Sequence, residues 1–235
     1  MADGGRTVLV LSAMPIELRP FVRKLQLRRS EAGGVSVRTG VAGTTPVVAS
    51  VVGVGPTEAR RVTGRLLDAV PAGRVIMIGV AGGVDPAFGV RSVLSPTTVI
   101  EQSTGEVLHP DYAPGVDAVG TLLTCATIST EVKLDRLRAE GVTAVDMETA
   151  AVGSVCHERG IPWTVFRSIS DTLEDGLVDE TTLALTRPDG STDLAQVAKM
   201  VVRHPASVRT LIKLGQDTKA AVAAHTASAL RDLGV

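Results

Sequence analysis

The chain predicts an α/β fold, read as a single domain over residues 1–235 with a central twisted mixed β-sheet flanked by helices. Three observations carry that expectation. Runs of Val, Ile and Leu that are apolar on both faces alternate with amphipathic segments of helical period. Two helical segments open on proline, at Pro15 and Pro56, where the missing N–H is not needed. Several of the apolar runs end in glycine or acidic clusters, as strands do where an open sheet gathers its ligand.

The elements follow in order. TVLVLSAM (Thr7–Met14) reads as a buried strand, and PIELRPFVRKL as a helix that Pro20 shortens or kinks. Ser36–Gly55 reads as a hairpin turning at Gly43–Pro46, whose second strand ends in Gly53 and Gly55. PTEARRVTGRLLDAV is an amphipathic helix. RVIMIGVAGGV (Arg74–Val84) is a buried strand running into a Gly-Gly turn. VRSVLSPTTVIEQ is a strand pair or a bent strand, and Ser103–Val119, rich in Gly, Pro and Asp, is a loop. LLTCATIS is a strand and EVKLDRLRAEG a helix ended by Gly141. TAVDMETAAVGSVCHERG passes from a short strand into a helix that stops at Gly160, and IPWTVFRSISD is the last core strand. From Leu194 onward the chain reads as mostly helical, broken at His204-Pro205.

Composition narrows the function classes. With 24 basic and 25 acidic residues, a formal net charge of -1 gives no basic surplus for nucleic acid. No apolar run is long enough to span a membrane, and MADGGRT has no signal-peptide pattern, so the cytoplasm is the expected location. Cys125 and Cys156 lack metal-ligand spacing and read as reduced thiols; neither a metal nor an organic cofactor is expected. Phe21, Phe88, Tyr112, Trp163 and Phe166 are the only aromatic residues, so a site that stacks on a planar ring has few side chains to use.

Five clusters lie at expected strand ends: Met14–Glu17, Gly53–Gly55, Gly79–Gly83, Ser170-Asp171 and Asp146-Met147-Glu148. Each also has a plainer explanation. Glu17 fits an exposed carboxylate near a helix N-terminus. Asp171 fits a helix cap. Glu148 fits a buried, paired acid. Gly-Val-Ala-Gly-Gly fits a tight turn. Their convergence at one edge of an open sheet favours a single site.

In this order the segments resemble the nucleoside phosphorylase and nucleosidase superfamily, and above all the 5′-methylthioadenosine/S-adenosylhomocysteine nucleosidases. The resemblance rests on VLVLSAMPIE, VVGVGPTEA, VIMIGVAGGVDP and, most specifically, AVDMETAAVGSVCHERGIPWTVFRSISD, and it spans residues 7 to 175. It implies a nucleoside phosphorylase-like fold and cleavage of a purine nucleoside at its N-glycosidic bond. Asp171 would protonate N7 of the leaving base, oriented by Ser170. Glu17 would hold the attacking water. Glu148 would grip the ribose hydroxyls and Met147 would pack on the sugar. Val80, Ala81 and Gly82 would line the site. Family members form dimers or larger assemblies, so the resemblance implies a homo-oligomer with a small-molecule purine nucleoside as its partner.

The residues suit that chemistry. The C–N bond breaks through a cationic sugar, and the purine leaves readily once a carboxylic acid has protonated it. A carboxylate on the ribose also places negative charge beside the developing cation. Three departures bear on the substrate. Val80 stands where the family has serine, the base-stacking aromatics have no counterparts, and Thr172–Leu185 lacks the expected phenylalanine. The tail Arg187–Gly215 is loosely similar to that of hopanoid-associated phosphorylases, which keeps phosphorolysis of a 5′-substituted adenosine as an alternative. Phosphate would need arginines at the glycine segments; Arg19, Arg60 and Arg91 are not in matching positions, and Glu17 would repel it. A nucleoside-binding protein without turnover is the other alternative.

Overall fold

A computed structural model describes residues 7–112, 117–126, 134–172 and 207–235. The segment 173–206, with the expected His204-Pro205 break, and residues 127–133 lie outside the described residues.

Among the described residues one sheet of 11 strands runs in the order β2 (Arg28–Ala32), β3 (Val35–Ala42), β4 (Thr45–Val51), β1 (Thr7–Ser12), β5 (Ala72–Gly83), β10 (Ala144–Asp146), β9 (Thr121–Thr124), β7 (Thr98–Glu101) and β8 (Val107–Leu108), and β11 (Trp163–Thr172) pairs with β5 and β6 (Val93–Leu94). Its centre is β1 (Thr7–Ser12), β5 (Ala72–Gly83) and β11 (Trp163–Thr172). These three pair in parallel, and their buried Val, Leu and Ile residues face helices on both sides. The hairpin of β3 (Val35–Ala42) and β4 (Thr45–Val51) turns at Gly43-Thr44 as expected. The segment expected to be a strand pair or a bent strand forms two short strands, β6 (Val93–Leu94) and β7 (Thr98–Glu101), which pair with other strands and not with each other. β9 (Thr121–Thr124) and β10 (Ala144–Asp146) are parallel to each other, while β10 runs antiparallel to the end of β5. The sheet is therefore mixed.

Helices cover both faces. Leu18 and Phe21 of α1 (Pro15–Lys24) and Ala229 and Leu230 of α5 (Ser207–Asp232) share one apolar cluster with Ile76, Ile78 and Phe166. Ala59, Val62 and Leu66 of α2 (Pro56–Ala69) and Ala150, Ala151 and Val152 of α4 (Thr149–Glu158) share the other with Leu9, Leu11 and Met77. The short α3 (Leu134–Ala139) packs Leu137 on Val84 and Leu123.

The structure differs from the sequence reading in three places. Gly79–Gly83 is not a turn: β5 runs through it, because Gly82 and Gly83 pair with β10 on one side and β11 on the other. Arg28–Ala32 forms β2, an edge strand whose residues are nearly all exposed. With no buried face it has no apolar alternation to betray it. The Ser103–Val119 loop contains the two-residue strand β8 (Val107–Leu108). The first helix is short, as expected, and runs through Pro20 to Lys24.

Candidate active site

The parallel strands β4, β1, β5 and β11 end on one side of the sheet, and the five clusters are the segments that leave those ends or abut them. Glu17 is the third residue of α1. It is buried, with 1% of its surface exposed, so the exposed-carboxylate explanation does not hold. Its Oε2 accepts the Met14 N–H at 2.8 Å, closing the first turn of the helix on itself. Its Oε1 accepts the Val80 N–H at 2.8 Å. Val80 thus serves the site through its backbone, a role the identity of its side chain does not reveal.

Behind Glu17 lies Arg167, which is fully buried in β11. Its Nη1 is 3.9 Å from Glu17 Oε1, and its Nη2 is 2.5 Å from Asp146 Oδ2 and 3.6 Å from Glu148 Oε2. One guanidinium therefore faces three buried carboxyl groups. Asp146 is the best held of them. It accepts the Thr124 hydroxyl at 2.6 Å, the Thr149 N–H at 3.0 Å and the Thr149 hydroxyl at 2.5 Å. Glu148 stands at the N-terminal boundary of α4, and its side chain, instead of capping that helix, reaches across to accept the Gly55 N–H at 2.9 Å. Gly55 offers that N–H from a backbone at φ 90°, a conformation glycine adopts without strain.

Three carboxylates cannot all ionise beside one cation in a desolvated pocket. Burial pushes the Glu148 carboxyl up to about 8, with the charge of Asp146 adding to the effect; Arg167 and the Gly55 N–H oppose it. Burial also raises Glu17, against the pull of Arg167 and the backbone N–H groups. Arg167 stays charged, its own burial outweighed by its acidic neighbours. A buried ion cluster is weak evidence for stability. Carboxyls raised by burial inside a crevice instead suit proton transfer.

Asp171 and Ser170 occupy the end of β11 and are buried. The β5–β11 register slips there: Ile169 faces Ala81, while Asp171, not Ser170, faces Gly82. This bulge puts Asp171 on the sheet face Ser170 would otherwise take, since a slip of one residue exchanges faces. Ser170 Oγ donates to Asp171 Oδ1 at 2.5 Å, which fixes the carboxyl group. Because β11 continues to Thr172, Asp171 does not cap a helix starting there. Met147 is half-buried between Asp146 and Glu148. Ala81 is buried, and Gly82 and Val80 are half-buried.

The structure thus links Glu17, Val80 and Glu148 through the Val80–Glu17 hydrogen bond and the charge of Arg167, with Asp171 opposite Gly82 two residues along β5 from Val80. Arg19, Arg60 and Arg91 are all exposed, and Arg60 pairs with Glu158 on the surface. Sequence reasoning gave no role to Arg167, Asp146 or His225. An arginine in the apolar run TVFRSIS was the available signal, since a buried charge requires partners. His225 carries no such mark in its alanine-rich helix. Among the described residues no group of His, Cys, Asp and Glu is disposed to hold a metal ion. No described helix is long and apolar enough to cross a membrane.

The arrangement offers two chemical functions at separate places: a fixed carboxyl at the end of β11 and a buried, partly protonated acid cluster around Arg167. The profile of the phosphorylase superfamily matches residues 7–128 and 118–204. A 5′-methylthioadenosine/S-adenosylhomocysteine nucleosidase of Bacillus cereus (strain G9842) is 27% identical over 198 residues, covering 70% of this chain and 85% of that protein. The crystal structure of such a nucleosidase from Colwellia psychrerythraea 34H, in complex with adenine, superposes with a TM-score of 0.73 at 20% identity, covering 97% of this chain and 95% of the other. Futalosine hydrolase of Helicobacter pylori superposes with a TM-score of 0.70 at 16% identity, with 97% of each chain covered.

Proposed function

Because the chain belongs to the phosphorylase superfamily, we propose that it hydrolyses the N-glycosidic bond of a purine nucleoside, of the 5′-substituted adenosine class on which the nucleosidases it resembles are named to act. One observation carries the choice of water as nucleophile. Glu17 is a buried carboxyl held by two backbone N–H groups, and the single arginine at its side is turned to Asp146. A dianionic phosphate beside Glu17 would meet repulsion with no free guanidinium to offset it among the described residues.

In this reading Asp171, steadied by Ser170, gives its proton to the base as the C–N bond lengthens. Glu17, raised by burial, orients the water and takes its proton. Glu148 bonds the ribose hydroxyls and, in its ionised form, places negative charge beside the developing cation. Met147 packs on the sugar, and Val80, Ala81 and Gly82 form the wall beside it. No cofactor enters the reaction. The whole chain acts as one domain and assembles as a homodimer or larger homo-oligomer, in keeping with exposed apolar side chains such as Ile16, Val107 and Tyr112. It works in the cytoplasm, where its two buried free thiols are at home.

The test is release of free adenine, followed by chromatography, from methylthioadenosine, adenosylhomocysteine and bulkier 5′-substituted adenosines. The proposal expects turnover of at least one of them. Binding of these nucleosides without release of base would leave a binding protein in its place.

A further inference from the structure

We propose that His225 is a positioning residue for Glu17, so that the C-terminal helix α5 is a working part of the site; this rests on the reading of Glu17 as the group that orients water.

His225 is fully buried. It stands in a helical stretch of small and apolar side chains, next to Val222, Ala229 and Leu230. A leucine there would fill the space without hydrogen-bonding demands, whereas a buried imidazole is costly unless both nitrogens are partnered. Both are. Nδ1 lies 2.9 Å from Ser168 Oγ, and Nε2 lies 3.3 Å from the backbone oxygen of Glu17. A carbonyl only accepts, so Nε2 carries the proton, and Nδ1 accepts from the Ser168 hydroxyl. Burial holds the ring neutral, lowering its pKa to about 4, and the nearby charge of Arg167 works in the same direction.

The two partners are what make the contact functional. One is Glu17 itself, at its own carbonyl in the first turn of α1. The other is Ser168, the neighbour in β11 of the arginine that Glu17 faces. The imidazole therefore ties α1 to β11 at the point where their charges meet. The 2.8 Å bond from Val80 N–H to Glu17 Oε1 requires that α1 begin at one depth against β5. A clamp on the carbonyl of Glu17 sets that depth.

The two amides of the side-chain alphabet separate this role from simple packing. In His225→Gln the amide nitrogen reaches the position of Nε2 and can still donate to Glu17. In His225→Asn it reaches only that of Nδ1, and His225→Leu keeps the volume and loses both bonds. We expect the Gln variant to keep kcat within about threefold, and the Asn and Leu variants to lose about tenfold or more in kcat, with KM changed much less, since small misplacements of a reacting group are costly. Amide hydrogen exchange at Val80 supplies a readout that needs no turnover: protection should survive in the Gln variant and fall in the other two. A Leu variant with wild-type kcat and wild-type Val80 protection would overturn the proposal, as would equal losses in Gln and Asn. If the wild type releases no base while the Val80 pattern holds, the positioning stands and the hydrolytic reading fails.

Discussion

Glu17 and Arg167 meet over the bare Cα of Gly79. A Cβ added at Gly79 would lie 2.0 Å from Arg167 Nη1 and 2.7 Å from Glu17 Oε1, so the pair occupies the space a side chain would take. The glycine of β5 is there to let a carboxylate and a guanidinium approach each other across a strand, not to bend the chain. Gly79→Ala should lower stability by about 1–3 kcal/mol through overpacking. It should lower kcat by up to about 100-fold through displacement of Glu17. Unfolding in urea and steady-state kinetics on the same preparation check both; wild-type activity would mean that the pair can step aside without consequence.

Arg167 carries the charge balance of the cluster. Arg167→Met keeps much of the volume and leaves Asp146, Glu148 and Glu17 buried without a cation. Breaking a buried ion pair from one side costs about 3–5 kcal/mol. The loss should be greater at about pH 8 than at about pH 5, where Glu148 and Glu17, both raised by burial, take up protons. Urea unfolding at the two pH values measures it, and a loss independent of pH would point to packing and not to charge.

How much of this was legible beforehand divides along physical lines. The central strands and the helices α1, α2 and α4 were readable because burial on both faces leaves continuous apolar runs and because proline marks helix starts. The five site segments were readable as strand ends. β2 is not legible because an exposed edge has no apolar period, and Gly79–Gly83 reads as a turn because glycine signals both turns and close approach. Arg167 and Asp146 have no role readable in sequence because their meaning lies in partners 21 residues apart, which the pairing of both β10 and β11 with β5 brings together. His225 is more distant still, 208 residues from Glu17.

Glu148 makes stability depend on pH in a defined direction. Its carboxyl is raised from the ordinary 4.5 to about 8 by burial and by Asp146. A group whose pKa is raised by folding favours the folded state below its unfolded pKa, and that contribution is lost as pH rises through the folded value. Wild-type stability should therefore decline between about pH 4.5 and pH 8. Glu148→Gln removes the titrating proton and should flatten that decline. Denaturant midpoints across this window test it; an unchanged slope in the variant would assign the decline to another group.

Asp171 should show itself in rate and not in stability. Asp171→Asn keeps the size of the side chain and its bond from Ser170 and removes the proton donor. General acid catalysis contributes about 10²–10⁴-fold, so kcat should fall by about 100-fold or more while KM changes little. The melting temperature should move only slightly. Single-turnover base release beside a thermal melt distinguishes this from a structural role, in which the melt would fall and the rate would not.

The central claim, that Glu17 holds water and excludes phosphate, is tested most directly by product analysis in two buffers. The purified protein is given a 5′-substituted adenosine in phosphate-free buffer and again with phosphate in excess. The account predicts the same rate of adenine release in both, with the free sugar as the only sugar product. Release that requires phosphate and yields a sugar 1-phosphate would contradict it.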